Sequence, residues 1–164
     1  MNDALDMVGE YTLEVIRDGK NGPEVIDRRV AKNLIMNTGK KLLWRLCVGY
    51  TTSPLQAASA KRFNHMRLGS GSAAATSGGT NLQTPVTGTL KTFDSATLLA
   101  GTRTMQMVRS YPSGGGSKSA TFKEVCILGS KTSPGGTALS RAVFAAVTKT
   151  TADKFRITYK CRIT

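Results

Sequence analysis

The chain has 164 residues, 40% of them apolar, and its 23 Lys and Arg outweigh 10 Asp and Glu for a net charge of +13. One domain of this length buries a full core without disulfide or metal staples. No run of about 18 apolar residues offers a membrane helix, and the N-terminus MNDALDMVGEY lacks the basic-then-apolar layout of a secretory leader.

The charge is uneven. Residues 1–60 hold 8 basic and 7 acidic side chains, whereas residues 61–164 hold 15 and 3. A cationic body of this kind favours an acidic partner: nucleic acid, an anionic glycan or an acidic protein surface. Cationic charge that serves solubility alone is the plainer alternative.

In chain order, residues 1–10 read as an N-terminal arm and 11–164 as a single domain. YTLEVIR (Tyr11 to Arg17) alternates and is rich in β-branched residues, so it predicts a strand. DGKNGP is dense in turn formers, and EVIDRRVAKNLIM continues as a second strand, which makes a hairpin. In KKLLWRLCVG, Leu42, Leu43, Leu46 and Cys47 fall at helical spacing. Asn37 or Thr38 serves as N-cap and Gly49 as stop, so one short helix is expected over about residues 38–48, with Trp44 covering the core edge. YTTSPLQAASA reads as loop.

KRFNHMRLGSG predicts the next strand, and Ser72 to Thr80 a small-residue loop without charge that serves as an assembly surface or a flexible spacer. Gly69 and Gly71 are the candidate hinge, letting the chain turn sharply where a side chain would clash. VTGTLKTF predicts a strand, DSATLLAG a turn or helical piece, TRTMQMVRSY a strand and PSGGGSKS a hairpin loop. SATFKEVCILG and TALSRAVFAAV follow as strands, and TKTTAD as a turn. In the closing DKFRITYKCRIT, Phe155, Ile157, Tyr159, Cys161 and Ile163 share one face, and Lys154, Arg156, Thr158, Lys160, Arg162 and Thr164 the other. Seven to nine strands and one helix predict a mainly β fold, an antiparallel β-sandwich or jelly-roll-like domain.

Reactive chemistry finds little footing. A phosphate-binding P-loop needs a lysine directly after its glycines, and no Lys or Arg lies between Gly69 and Val86. A serine triad would have to use His65, the one histidine, which no Asp or Cys neighbours; a packed or surface role is expected for it. Cys47, Cys126 and Cys161 are widely spaced among apolar neighbours. They read as buried thiols, with a disulfide between two of them or between subunits as the alternative. No metal, cofactor or catalytic residue is expected. Glu124 stands out in the apolar run KEVCIL. An edge or outward position paired with a nearby Lys is the favoured reading, and an ion pair with an Arg inside the sheet or at a subunit contact is the other.

Five stretches carry a resemblance: KNLIMNTGKKLL (Lys32 to Leu43), MRLGSG (Met66 to Gly71), TFKEVCIL (Thr121 to Leu128), ALSRAVFAAVTKT (Ala138 to Thr150) and the terminal FRITYKCRIT. Their order resembles that in a family of small bacteriophage virion proteins of the tail-fibre, collar and baseplate type. Such proteins often carry Pro after RAVF, where this chain has Ala145 and Ala146, and an Asp-containing step where it has GTNL (Gly79 to Leu82). The resemblance implies a non-enzymatic building block of the virion, made in the host cytoplasm and assembled as a symmetric homo-oligomer, with a trimer among the options. The chain is read as ending with the domain, without a shaft or receptor-binding tip, which favours a connector, collar or decoration role.

On that reading the partners are further copies of the chain and virion proteins with acidic surfaces; no membrane is involved. Arg103, Arg109, Lys154, Arg156, Lys160 and Arg162 form the candidate interaction surface. Loops 69–81 and 112–118 and the arm 1–10 are the parts expected to reach neighbours. A capsid decoration protein on the head and a basic nucleic-acid-binding β-domain are the alternative functions.

Overall fold

The computed structural model describes residues 7–37, 39–40, 63–114, 119–129 and 138–163. Ten strands in these segments form two five-stranded antiparallel sheets. In chain order they are β1 (Met7–Gly19), β2 (Gly22–Lys32), β3 (Leu34–Ile35), β4 (His65–Gly69), β5 (Lys91–Thr92), β6 (Ser95–Leu98), β7 (Thr104–Tyr111), β8 (Ala120–Leu128), β9 (Ala138–Lys149) and β10 (Asp153–Ile163). The first sheet runs β2-β1-β10-β7-β6 and the second β3-β9-β8-β4-β5. The fold is a β-sandwich, and neither sheet closes into a barrel.

Alternation builds the layer between the sheets. Tyr11, Leu13 and Val15 of β1 lie opposite Tyr159, Ile157 and Phe155 of β10, and all six side chains are buried. From the second sheet Met66, Leu68, Phe122, Val125, Ile127, Leu139, Ala142 and Val147 meet them. Phe122 of β8 stacks on Phe155 of β10 at 5.6 Å and 4°. Tyr11 spans the sheets through its hydroxyl, 2.7 Å from Ser140 Oγ on β9. Burying phenols without such partners would cost desolvation.

The β1–β2 hairpin follows the sequence reading, as do strands β8 and β9, which pair antiparallel and whose connection lies almost wholly outside the described residues. Six segments depart from that reading. Met7 to Glu10 belong to β1 and pair with β10 from Met7↔Ile163 to Glu10↔Lys160, so the arm expected over residues 1–10 is strand in its described part. The expected second strand breaks at Asn33, where the chain leaves the first sheet for the second. The Asn33 amide N–H donates to Gly9 O at 3.2 Å, and its Nδ2 donates to Tyr159 Oη at 3.0 Å. Only a residue without a side chain fits at position 9, because a Cβ there would meet the Asn33 side chain.

DSATLLAG contains a strand, β6, which pairs with β7 from Ser95↔Val108 to Leu98↔Met105. VTGTLKTF contributes only the two residues of β5. The loop over residues 112–118, expected to close a hairpin, links strands in different sheets, as does the turn between β9 and β10. The expected helix over 38–48 lies almost wholly outside the described residues, as do Trp44 and Cys47. Its start is visible at Asn37, and Lys40 N donates to Met36 O at 3.0 Å. Cys126 and Cys161 are buried free thiols.

The β9-to-β10 corner is held by Asp153, which is 1% exposed. Its carboxylate accepts from Arg17 Nε at 2.8 Å, from Thr150 N at 2.9 Å and from Thr150 Oγ1 at 2.6 Å. The Arg17 hydrogen bond holds the carboxyl down at about 2, against the upward push of burial and with the help of Thr150. An unfolded Asp titrates near 3.9. This contribution to stability is therefore complete above about pH 4 and is lost as pH falls from there towards 2. Urea midpoints at pH 5 and pH 2.5 check this: Asp153→Asn should lower the midpoint at pH 5 and flatten the difference between the two.

Candidate functional site

The most heavily bonded polar centre among the described residues is built from Glu124 on β8 and Arg141 on β9. Both lie on the face of the second sheet that points away from the first. Glu124 is fully buried and the Arg141 side chain is 7% exposed. Arg141 Nε and Nη2 donate to Glu124 Oε2 at 2.9 and 2.8 Å, a bidentate grip on one oxygen. Gln83 N donates to the same oxygen at 3.0 Å. Oε1 accepts from Gly71 N at 3.1 Å and Thr84 N at 2.8 Å. Arg141 spends its remaining donors on the loop, reaching Ala73 O at 2.9 Å and Ala74 O at 3.3 Å.

These bonds pin residues 70–85 to the outside of the second sheet as a third layer. Ser70 N donates to Thr84 O, Ala73 N to Gln83 Oε1, and Gly69 bridges to Pro85. Beside the ion pair a second apolar cluster forms under the loop, with Met36, Leu82, Cys126, Leu128 and Ala138 buried and Leu90 packed against them. Burial of the thiol raises the Cys126 pKa well above its ordinary value, so it acts as packing and not as a nucleophile.

Glu124 thus takes the second of its two expected readings, an ion pair with an arginine inside the sheet, and corrects the favoured one, because its outward-facing carboxylate is buried and its partner is Arg141 and not a lysine. The signal in the sequence was the unbroken run Val125–Leu128 beside it, which marks a strand covered on both faces. Gly69 and Gly71 take a different part from the hinge expected of them. Neither has a positive φ. A Cβ at Gly69 would meet Glu124 Oε1 and lie 2.6 Å from Thr84 O, and one at Gly71 would lie 2.7 Å from Glu124 Oε1. The glycines make room for a buried carboxylate, and the loop beyond them is anchored. The exposed Ser72 to Ala74 and Thr76 to Gly78 form its outer surface.

The six basic candidates do not make one uniform surface. Lys154, Arg156, Lys160 and Arg162 do share the outer face of the first sheet. Two of them are matched there by acids of β1: Arg156 Nη2 lies 2.7 Å from Glu14 Oε2 and Lys154 Nζ 2.9 Å from Asp18 Oδ1. Glu10 lies opposite both Lys160 and Lys32. Arg109 is elsewhere. Its register with Ile157 puts it on the inner face, where it bonds Asp94 and sits over the Tyr111 ring at 5.3 Å. Arg103 is exposed in the turn between β6 and β7. Sequence reasoning saw the cations of β10 but not the carboxylates that β1 brings alongside them. It also missed three exposed apolar neighbours on that face: Val8 (52% exposed), Val25 (45%) and Val30 (55%).

His65 is buried at 5% exposure on β4, a packed position. No group of three or more His, Cys, Asp or Glu among the described residues could hold a metal ion, and no described helix is long and apolar enough to cross a membrane. The class defined by fold and site is an antiparallel β-sandwich whose buried ion pair fastens a long surface loop. No family model, curated protein or solved structure matches the chain.

Proposed function

We propose that the protein is a non-enzymatic structural component of a bacteriophage virion, acting as a symmetric oligomer in the tail, collar or fibre-attachment region. The observation that carries this reading is where the resembling stretches meet. MRLGSG supplies Gly69 and Gly71, TFKEVCIL supplies Glu124, and ALSRAVF supplies Arg141. From KNLIMNTG, Met36 N donates to Leu139 O at 2.8 Å, and a Cβ at Gly39 would lie 2.6 Å from Leu139 Cα. The motif residues thus fasten the scaffold together, which is the part expected of a building block.

The outer face of the first sheet suits the assembly role. Exposed Val8, Val25 and Val30 stand among Arg28, Lys32, Lys160 and Arg162, a mixture suited to contact with a neighbouring subunit or an acidic virion surface. Carboxylates between those cations weaken a continuous phosphate-binding track, so the nucleic-acid reading has less support. A decoration protein on the capsid head is the same reading at another location.

Immunogold labelling of purified particles tests the proposal. Antibody against the purified chain should decorate one position on each particle, and unlabelled particles would overturn the reading. Titration with duplex DNA over a salt series separates the rival: micromolar binding at about 0.15 M salt with a steep negative slope would favour a nucleic-acid-binding domain instead.

A further inference from the structure

At one end of the sandwich a cavity of about 240 Å³ is lined by Val86 to Thr89, Lys91, Arg109, Tyr111, Pro112, Phe122 and Lys149. Three of these residues are cations and none is a carboxylate. Lys149 lies on β9 opposite Ala120, two residues beyond the pair Phe122↔Val147, and it is 1% exposed. Its Nζ donates to Thr150 O at 3.0 Å, a neutral acceptor that takes one of three ammonium protons. The nearby Asp153 carboxylate is already engaged by Arg17 and Thr150. Arg109 gives Nη1 to Asp94 and Thr92 O, while its buried Nε has no acceptor among the described residues. A buried ammonium whose neighbouring carboxylate is held by other donors is costly in a protein interior. Burial accordingly lowers the Lys149 pKa, with the Asp153 charge opposing.

The rest of the lining is apolar or aromatic: Val86, Pro112, Phe122 and the Tyr111 ring. Positive charge set beside a small apolar space is the pattern of a site for an amphiphilic anion, in which few polar groups fix the orientation of a mostly apolar ligand.

We propose that this cavity binds a small molecule bearing an oxyanion, a carboxylate or phosphate on a flat apolar body, with the anionic group between Lys149 and Arg109 and the body against Phe122, Val86 and Pro112. The site stands independently of the virion reading, since its lining shares no residue with the Glu124–Arg141 centre. It suits a ligand too small to be a polymer chain.

The test is a titration of the full chain, followed by amide NMR shifts at constant ionic strength, with benzoate, phenyl phosphate and inorganic phosphate as probes. Benzoate or phenyl phosphate should give saturable shifts centred on Thr87 to Thr89, Arg109, Tyr111 and Lys149. Either should bind at least about tenfold more tightly than inorganic phosphate, which lacks the apolar body. Lys149→Met should weaken binding by about tenfold or more, as loss of a buried charge-assisted hydrogen bond requires, while Lys20→Met in the exposed β1–β2 turn leaves it unchanged. Absence of saturable shifts, inorganic phosphate binding as tightly as the ring compounds, or unaltered affinity in Lys149→Met would each overturn the proposal. If Lys149→Met does not fold, Lys91→Met carries the same test, with a loss of about threefold expected from removing a peripheral charge; unchanged affinity there overturns it equally.

Discussion

Replacing Glu124 with Ala is expected to lower the unfolding free energy by about 3–5 kcal/mol, the usual cost of leaving a buried charge without its partner. For a chain of this size that corresponds to a fall in Tm of roughly 6–20 °C. Arg141→Ala should cost about as much, because Glu124 then keeps three backbone donors but no counter-charge. The informative variant is the double replacement by Leu. A buried pair exchanged for apolar residues is often neutral or stabilising. Here the exchange strands the amides of Gly71, Gln83 and Thr84 and the carbonyls of Ala73 and Ala74. The Gly71 amide is buried and costs about 1–3 kcal/mol when orphaned, while the groups of the exposed residues Ala73, Ala74, Gln83 and Thr84 turn partly to water, so the double variant should stay about 1–3 kcal/mol below the parent protein. Gly69→Ala should reproduce part of the effect, about 1–3 kcal/mol, by crowding the same carboxylate. Thermal and urea unfolding of the parent and the four variants would check the series, and a double variant as stable as the parent would refute the anchoring role.

Phe155→Ala carries the second large effect, an expected loss of about 3–5 kcal/mol. Phe155 is fully buried on β10. It stacks on Phe122 across the sheets at 5.6 Å and lies 6.5 Å from the Tyr111 ring on its own sheet. Removing it deletes the ring that joins both sheets at that end and leaves a void that β-strands fixed by ladder hydrogen bonds cannot close. Phe155→Leu keeps most of the volume and should cost less, about 1–1.5 kcal/mol. Val30→Ala on the exposed outer face should change stability by less than about 0.5 kcal/mol. Equilibrium urea unfolding ranks the three. A Phe155→Ala loss no larger than that of Val30→Ala would contradict the placement of the core.

Strands with one buried face were legible because their period is two. Tyr11 to Val15 and Phe155 to Cys161 show the alternation without interruption, and both lie in the strands they predict. Alternation records which residues share a face, yet it carries nothing about which sheet a strand joins. This is why the segments after Tyr111 and Lys149 read as simple turns although each crosses between sheets. β6 was missed because SATL is a short edge strand, exposed throughout, whose pairing with β7 and not its own burial holds it.

The Glu124 centre was half legible. A lone carboxylate in KEVCIL stood out, but its partner lies 17 residues away and its three backbone donors 40 to 53 residues away. No local pattern encodes such contacts. The glycines opposite offered the remaining clue, since a residue with no Cβ marks a close approach as readily as a turn. The basic surface was overdrawn for a related reason: β10 displays its cations in one run, while the acids that temper them come from β1, far away in sequence.

Hydrogen exchange at three amides tests the anchored layer most directly. Gly71, Gln83 and Thr84 lie in a segment with no strand of its own, yet each donates to a fully buried carboxylate. They should exchange as slowly as the amides of Val125 to Ile127 at the centre of β8, and lose that protection in Glu124→Ala while the first sheet keeps its own. Exchange at the rate of an open peptide in the unaltered protein would contradict the account.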